Sequence, residues 1–334
     1  MRTAARVGSP GLLTIITGSR GIGKTVMLSA AEAIARNHGW AVVSRTATPG
    51  FLARIGDDML RLLDELGDGP PTRKITGFSA AGFGLTTQLP RERIPDWRRT
   101  GEELLRLLEG KGTGLVITID EIHAVDRTEI SQLAADVQHF IRDGLPIGLI
   151  FAGLPSAVSD LLNEGVATFL RRADRINLHE ARIVEVSASY RELFREGGID
   201  VSPELLSEAA EATEGYPFLI QLVGYYLWMA AGKAGWALDL NSVRGAIAAA
   251  QRRNTLVVVE SALSDISAKD REFLDAMAEQ DGPSAAAQIG QIIKSKPNVV
   301  SKYRNRLIAA GLIESAGYGK VDFAIPGLRQ YLRR

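Results

Sequence analysis

The sequence predicts an α/β domain with a parallel sheet, followed by a helical domain and a smaller domain of helices and a hairpin. Three observations lead to this fold class. Short apolar runs alternate with helical patterns through the first half of the chain, and a glycine-rich segment joins the first run to the first helix. The strand pattern then stops after residue 187. Apolar strands that alternate with helices are typical of parallel sheets buried on both faces.

The first predicted domain covers residues 1–182. Its strands are expected at residues 12–17, 41–47, 115–120, 146–152 and 175–178. Helical patterns separate them at residues 26–37, 51–66, 100–110 and 129–143. A segment rich in glycine and proline interrupts this alternation at residues 67–95. It predicts an inserted hairpin or loop, and a surface excursion is favoured over a dedicated binding element.

Two further domains are predicted after residue 182. Residues 183–263 form the helical domain, with helices expected at residues 189–195, 203–213, 217–231, 241–253 and 256–263. Residues 264–334 follow, with helices at 269–279, 285–293 and 298–310 and strands at 312–315 and 320–325. Three helices followed by a hairpin is the element order of a winged helix.

Composition excludes several classes of protein. The chain has 334 residues, no cysteine, and equal totals of basic and acidic residues, 39 of each. Disulfides and thiolate metal sites are therefore excluded, and any nucleic-acid surface must be local. The four histidines are scattered without metal-ligand spacing, and no apolar run approaches the roughly 18 residues that span a bilayer. We expect no membrane association and a cytoplasmic location.

The glycine-rich segment matches the G-x-x-x-x-G-K-T phosphate loop. Glycines let successive backbone N–H groups face one anion, and the next helix adds its positive end. Lys24 is expected to reach the β- and γ-phosphates, and Thr25 to place its hydroxyl on Mg²⁺. The alternative is a glycine-rich turn without a ligand. The candidate nucleotide contacts are Gly18, Ser19, Arg20, Gly21, Ile22, Gly23, Lys24, Thr25 and Val26.

Two adjacent carboxylates end the apolar run at residues 115–120. Asp120 is expected to hold the Mg²⁺ shell, and Glu121 to orient or deprotonate the attacking water. The alternative is an acidic turn after a buried strand. The distance of the two carboxylates downstream of a phosphate loop favours the nucleotide site over the acidic turn.

These motifs resemble those of the AAA+ ATPases. The segment Gly215-Tyr216-Pro217 also looks like the G-x-P lid motif shared by origin-recognition ATPases and STAND signalling ATPases. The resemblance implies ATP or ADP bound between the α/β domain and the lid, with Pro217 bordering the base. It also implies ATP hydrolysis and assembly into a homo-oligomer. A neighbouring copy would then supply a catalytic arginine, for which Arg172 is preferred over Arg171 and Arg175. The fourth strand departs from the family, because its tip has only Ser156 in place of the usual polar sensor.

A local basic surface is predicted in the third domain. Residues 284–311 contain five basic residues and no acidic residue. A recognition helix with basic and amide side chains suits double-stranded DNA. The candidate DNA contacts are Lys294, Lys296, Ser301, Lys302, Asn305 and Arg306.

The competing interpretation is a STAND-like nucleotide switch whose winged helix binds protein or packs on its own ATPase core. STAND proteins usually carry a repeat array after this domain, whereas this sequence ends at Arg334. On this ground the sequence favours DNA binding. For Arg171, Arg172 and Arg175, the alternative to a catalytic role in a neighbouring copy is a solvated basic face.

Overall fold

A computed structural model describes residues 13–67, 97–122, 127–155, 158–159, 168–264 and 266–334. Their contacts divide them into two compact units. The first unit holds the chain up to Thr17 together with Lys24–Asn177, and the second holds Gly18–Gly23 together with Leu178–Arg334. No helix in these ranges combines the length and the apolarity needed to cross a lipid bilayer.

The first unit is built on a five-stranded parallel sheet in the order β2-β3-β4-β1-β5. The strands are β1 (Leu13–Thr17), β2 (Ala41–Thr46), β3 (Leu115–Asp120), β4 (Ile147–Gly153) and β5 (Asp174–Asn177). The strands β2, β3 and β4 lie on one side of β1, and β5 lies on the other, so the direction of strand addition reverses at β1. Ligands of open parallel sheets bind beyond the carboxyl ends of the strands at such a reversal.

Helices cover this sheet. They are α1 (Lys24–Asn37), α2 (Phe51–Gly67), α3 (Trp97–Gly110) and α4 (Arg127–Arg142), and a short 3₁₀ helix spans Thr168–Arg172. The helices α2 and α3 each bury one apolar face in the core because their leucines, isoleucines and aromatic residues recur with helical spacing. Trp97 lies edge-on to Phe140, with 5.8 Å between ring centroids, and its indole N–H donates to Asp136 over 2.9 Å.

The second unit begins with four helices that share one apolar core. They are α5 (Ile183–Glu196), α6 (Pro203–Glu211), α7 (Pro217–Lys233) and α8 (Leu240–Asn254). The sequence determines several of their starts. Ser202 caps α6 through the Leu205 amide, and Asp239 caps α8 through the Ser242 amide at 2.8 Å. Proline occupies the first turn of both α6 and α7. The N–H groups of a first turn form no hydrogen bond within the helix, so the lack of an N–H in proline has no cost there.

The rest of the second unit surrounds a separate apolar core. A π-helical turn at Thr255–Val259 leads into α9 (Glu260–Leu263), α10 (Ala268–Ala278), α11 (Ala286–Ile292), α12 (Pro297–Ala309) and α13 (Leu328–Leu332). The strands β6 (Ser284–Ala285), β7 (Ile313–Ser315) and β8 (Lys320–Phe323) form an antiparallel sheet in the order β6-β8-β7. The sequence predicts the hairpin of β7 and β8 but not β6. The two residues of β6 are too few to give a periodic pattern.

Two predicted domain boundaries do not coincide with divisions in the packing. The helix predicted at residues 256–263 was assigned to the second domain, yet Val259 is fully buried in the C-terminal core. The Asn254 amide also donates to the Pro326 carbonyl over 3.0 Å. The first unit ends at Asn177 and omits residues 18–23, whereas the predicted domain was continuous over residues 1–182. Contacts with residues distant in sequence cause both differences.

The predicted secondary structure of the first half agrees with the structure to within about three residues at most ends. The helix α3 begins at Trp97, three positions before the predicted start, and β5 begins at Asp174. The predicted insertion lies outside the described residues except for Gly67, the last residue of α2.

Candidate nucleotide site and basic surface

Glycines shape the loop between β1 and α1. Gly21 and Gly23 have φ angles of +71° and +95°, which side chains with a Cβ rarely adopt. At Gly18, an added Cβ would lie 2.5 Å from the Cγ2 atom of Ile22. All three positions therefore require glycine. A loop of this kind is able to turn successive N–H groups toward one anion, which is the predicted role of residues 18–23.

The helix α1 begins at the end of this loop. Lys24 is its first residue and is only 6% exposed, whereas Thr25 and Val26 are exposed. The first turn of a helix has unpaired N–H groups and the positive end of the helix dipole. Lys24 and Thr25 therefore stand where a helix attracts phosphate.

Thr25 and Asp120 meet in the first unit, although 95 positions separate them in the sequence. The Thr25 hydroxyl donates a hydrogen bond of 2.6 Å to the Oδ2 atom of Asp120. The other carboxylate oxygen of Asp120 accepts the Glu121 amide over 2.8 Å. The structure thus brings together the two residues that the sequence predicts as ligands of one metal ion.

Their chemistry fits Mg²⁺. A hydroxyl and a carboxylate are hard oxygen ligands, and Mg²⁺ is usually held by one or two carboxylates together with phosphates and water. Among the described residues, no group of three or more histidine, aspartate or glutamate side chains is placed to hold a metal by itself.

Glu121 has a strained backbone at the end of β3. Its φ angle is +57°, in the left-handed region where a residue with a Cβ has a cost of about 1–3 kcal/mol. Its side chain is half-buried. Strain of this kind is concentrated at functional sites, because the surrounding structure fixes the direction of the side chain there.

A buried polar pair, which the sequence did not reveal, fixes α1 against β3. The Thr118 hydroxyl is fully buried and donates to the Glu32 carboxylate over 2.6 Å, and Arg36 contacts the other oxygen of Glu32 at 3.2 Å. Thr118 lies two residues before Asp120, and Glu32 lies on α1, whose second residue is Thr25. This pair therefore helps to fix the distance between Thr25 and Asp120. Glu32 lies on the apolar face of α1, and this unusual position in the sequence could have indicated a buried polar partner.

The predicted arginines lie next to β5. Arg171 and Arg172 end the 3₁₀ helix, Arg175 lies in β5, and all three side chains are exposed. Within the described part of the chain, Arg172 and Arg175 form no ion pair. Both are accessible to another molecule. The strand β4 ends at Gly153 without a polar side chain, and Ser156 is outside the described residues.

The G-x-P segment lies beside the glycine loop in the second unit. An added Cβ on Gly23 would be 3.9 Å from the Cβ of Pro217. The residue before Pro217, Tyr216, is fully buried and its hydroxyl donates to the Arg20 carbonyl over 2.5 Å. The resemblance to AAA+ ATPases implies a role for Pro217 and none for Tyr216.

The predicted basic surface is largely exposed on α12 and the preceding turn. The side chains of Lys294, Lys296, Ser301, Lys302 and Asn305 are all partly or fully exposed. Lys294 has a φ angle of +49° in the turn before α12. None of the three lysines forms an ion pair within the described ranges. Their charges are therefore available to a ligand.

Arg306 differs from these lysines. Its guanidinium donates to the Asp270 carboxylate through Nε at 3.0 Å and Nη2 at 2.6 Å. Asp270 is nearly buried, with 5% of its side chain exposed against 54% for Arg306. This hydrogen bond raises the pKa of Arg306. The sequence placed Arg306 beside Lys302 as an equal DNA contact, whereas in the structure an acid from α10 already neutralises it.

Solved structures with a similar fold include a Walker-type ATPase. The chain is similar to the Walker-type ATPase PABY2304 of Pyrococcus abyssi, with 17% identity over 97% of this chain and 91% of that one and a TM-score of 0.67. It is also similar to the ORC2 protein of Aeropyrum pernix in its ADPNP–ADP complexes, with 14% identity, coverage of 99% and 90%, and a TM-score of 0.60. The chain shares the fold of these two proteins.

Sequence comparison adds one local match. Residues 257–332 match a family model described as a domain of unknown function, DUF8462. This match begins inside the π-helical turn before α9, which agrees with the packing of that segment in the C-terminal core. No curated protein matches the chain.

Proposed function

We propose that the chain binds ATP with Mg²⁺ and hydrolyses it. The 2.6 Å hydrogen bond between Thr25 and Asp120 carries this proposal. It joins the hydroxyl that follows the phosphate-loop lysine to the carboxylate that ends β3. The P-loop ATPase fold supports the same conclusion, and the similar ORC2 protein of Aeropyrum pernix was solved in complexes with ADPNP and ADP.

Each residue has a defined part in this proposal. The N–H groups of residues 18–23 and of the first turn of α1 hold phosphate oxygens, and Lys24 adds a positive charge. Thr25 and Asp120 hold Mg²⁺, which when bound neutralises charge on the phosphate oxygens. Glu121 accepts a proton from the attacking water or orients it. An arginine from a neighbouring copy, Arg172 by preference, completes the site and makes assembly depend on nucleotide.

The replacement Glu121→Gln tests this proposal. An amide has nearly the shape of the carboxylate and is unable to accept the proton, so ATP binding should persist while turnover falls about 10²- to 10⁴-fold. Calorimetric titration with Mg-ATP and phosphate release measure the two quantities. Glu109→Gln, at an exposed position near the end of α3, is the matched control. Hydrolysis by Glu121→Gln at the unsubstituted rate contradicts the assignment.

We also propose that the C-terminal segment is a winged helix that binds double-stranded DNA. This proposal is supported by the order of α10, α11 and α12 before the β7–β8 hairpin, to which the short strand β6 is added. The exposed Lys294, Lys296 and Lys302, with Ser301 and Asn305 on the same helix as Lys302, supply phosphate and base-edge donors. A titration with duplex DNA at several salt concentrations tests this proposal, because phosphate contacts weaken as salt rises.

One contact favours the second candidate function, a nucleotide switch. Within the second unit, the Nε atom of Arg20 donates to the Ala310 carbonyl at the end of α12 over 3.1 Å. The phosphate loop thus touches the helix that would read DNA. A switch should show slow basal turnover and no affinity for duplex DNA, with or without ATP. Salt-dependent DNA binding would instead favour the first candidate.

A further inference from the structure

Tyr216 makes a specific contact with the phosphate loop. It lies between Gly215 and Pro217, is fully buried, and packs with Ile22 and Leu219 in a small apolar cluster. Its hydroxyl donates a 2.5 Å hydrogen bond to the Arg20 carbonyl, and 196 positions separate the two residues. The loop is therefore held by a side chain from the segment that precedes α7.

The loop is also shaped to accept this hydroxyl. An added Cβ on Gly21 would lie 1.9 Å from the Tyr216 oxygen, and the φ angle of Gly21 is +71°. Gly21 falls at a variable position of the G-x-x-x-x-G-K-T pattern, so the motif does not require glycine there. Tyr216 gives a physical reason for it. This close approach and the hydrogen bond to Arg20 both involve the hydroxyl oxygen of Tyr216.

The geometry of the peptide bond connects this contact to phosphate binding. In a trans peptide, the carbonyl of one residue and the N–H of the next lie in one plane and point in opposite directions. Fixing the Arg20 carbonyl on Tyr216 therefore fixes the Gly21 N–H to point away from Tyr216. Loops that bind phosphate depend on such fixed N–H directions.

We propose that Tyr216 is a positioning residue of the phosphate loop, which aims the Gly21 N–H at a nucleotide phosphate by holding the Arg20 carbonyl. This inference rests on the ATP binding proposed above. It assigns the middle residue of the G-x-P segment a task separate from that of Pro217.

Tyr216 is itself held firmly enough for this role. Its amide donates to the Thr213 carbonyl at 2.9 Å, and the Ala181 amide donates to the Gly215 carbonyl at 2.8 Å. Gly215 has a φ angle of +72°, and a Cβ there would lie 2.1 Å from the Ala181 oxygen. Burial raises the pKa of Tyr216, so its hydroxyl keeps its proton at neutral pH and is able to donate this hydrogen bond.

The test is Tyr216→Phe in the full chain, with Tyr190→Phe as the matched control. Tyr190 is also buried, at 3% exposure, and its hydroxyl donates to the Ile220 carbonyl over 2.7 Å, away from the loop. Each replacement removes one neutral hydrogen bond to a backbone carbonyl. Titration calorimetry gives the Kd for Mg-ATP, steady-state hydrolysis gives KM and kcat, and thermal unfolding reports stability.

Tyr216→Phe should weaken Mg-ATP binding about 3- to 10-fold, the size expected for one neutral hydrogen bond. KM should rise by the same factor while kcat changes less than about twofold. Tyr190→Phe should lower the unfolding temperature to a similar extent and leave Kd unchanged. Equal Kd values for Tyr216→Phe and the unsubstituted chain overturn the inference, as does an equal loss in Tyr190→Phe. If the unsubstituted chain binds no Mg-ATP, the proposed function itself has failed.

A second pair of variants applies if Tyr216→Phe does not fold. Gly21→Ala forces its methyl group into the Tyr216 hydroxyl, whereas Gly39→Ala, with a φ angle of +77°, meets no atom within 4 Å. Backbone strain is similar in the two. A larger loss of Mg-ATP affinity in Gly21→Ala supports the inference, and equal affinities overturn it.

Discussion

The groups at the end of β3 and those along α12 hold their charges in different ways. The Asp120 carboxylate accepts one hydrogen bond from Thr25 and one from the Glu121 amide, so its direction is fixed before any ligand arrives. Lys302 and its neighbouring lysines extend into solvent without an ion pair in the described part of the chain. The first region is preorganised, and the second supplies charge without fixed geometry.

This difference sets the size of effect expected from each region. Preorganised groups interact strongly with a ligand, because no reorganisation is needed. Exposed charges are screened by salt and contribute little individually. Replacements at the nucleotide site should therefore change affinity or turnover by large factors, and those on α12 should change DNA binding gradually.

The largest effect is expected at Arg172, which is an exception to the rule that exposed charges contribute little. It is exposed, yet a trans-acting arginine raises turnover about 10³- to 10⁵-fold. If Arg172 acts in trans as proposed, Arg172→Ala should lower kcat by a factor in that range and leave ATP affinity almost unchanged. Mixing it with Glu121→Gln protein should restore some phosphate release, since mixed interfaces contain one intact site.

Arg175→Ala is the comparison for Arg172, because Arg175 is exposed nearby in β5. A loss of turnover confined to Arg175→Ala would transfer the trans role to that residue. Absence of rescue in protein shown to form mixed oligomers would count against any arginine acting in trans.

Lys24→Ala tests the preorganised region directly. Removing the nearly buried ammonium should weaken ATP binding about 10- to 100-fold, because a hydrogen bond between charged groups contributes about 1.5–3 kcal/mol. Titration calorimetry measures the change. Lys111→Ala, whose exposed ammonium donates to the Leu66 carbonyl in the same unit, is the control. An unchanged ATP affinity in Lys24→Ala would remove the basis for the nucleotide site.

Lys302→Ala should have the smallest effect. If its charge neutralises one DNA phosphate, the slope of log K against log salt should fall by about 0.9, whatever the DNA sequence. Lys233→Ala, at the exposed end of α7, should leave the slope unchanged. The slopes come from duplex titrations between low and moderate salt. An identical slope for Lys302→Ala and the unsubstituted chain would exclude this phosphate contact.

Arg306→Ala allows a paired and an unpaired basic residue of α12 to be compared, Arg306 with Lys302, within the described part of the chain. Its charge is shared with Asp270, so the DNA salt slope should fall less than in Lys302→Ala. The unfolding free energy should fall by about 1–2 kcal/mol, because the nearly buried Asp270 carboxylate loses two donors. Denaturant unfolding measures this loss. A larger slope change in Arg306→Ala than in Lys302→Ala would restore the role that the sequence gave to Arg306.

Much of the first unit was predictable from the sequence because its signals are local. The apolar run of β3 and the helical spacing of α2 determine those elements through neighbouring residues. Lys24 and Thr25 are identified as site residues by a motif of eight consecutive positions. Such signals need no knowledge of the tertiary structure.

The pairs of residues distant in sequence were not predictable in this way. Nothing in the α12 sequence shows that Asp270 takes up the charge of Arg306, and nothing in the α1 pattern shows that Glu32 meets Thr118. The placement of Val259 in the C-terminal core likewise depends on residues far along the chain.

The α/β class, the phosphate-loop motif and the carboxylates at the end of β3 follow from the amino-acid sequence, because each depends on the chemistry of adjacent residues. The tertiary structure alone decided that Tyr216 holds the Arg20 carbonyl and that Gly21 must lack a side chain. The reason is physical. A hydrogen bond forms only between atoms about 3 Å apart, and for residues 196 positions apart that distance is set by the packing of the whole unit.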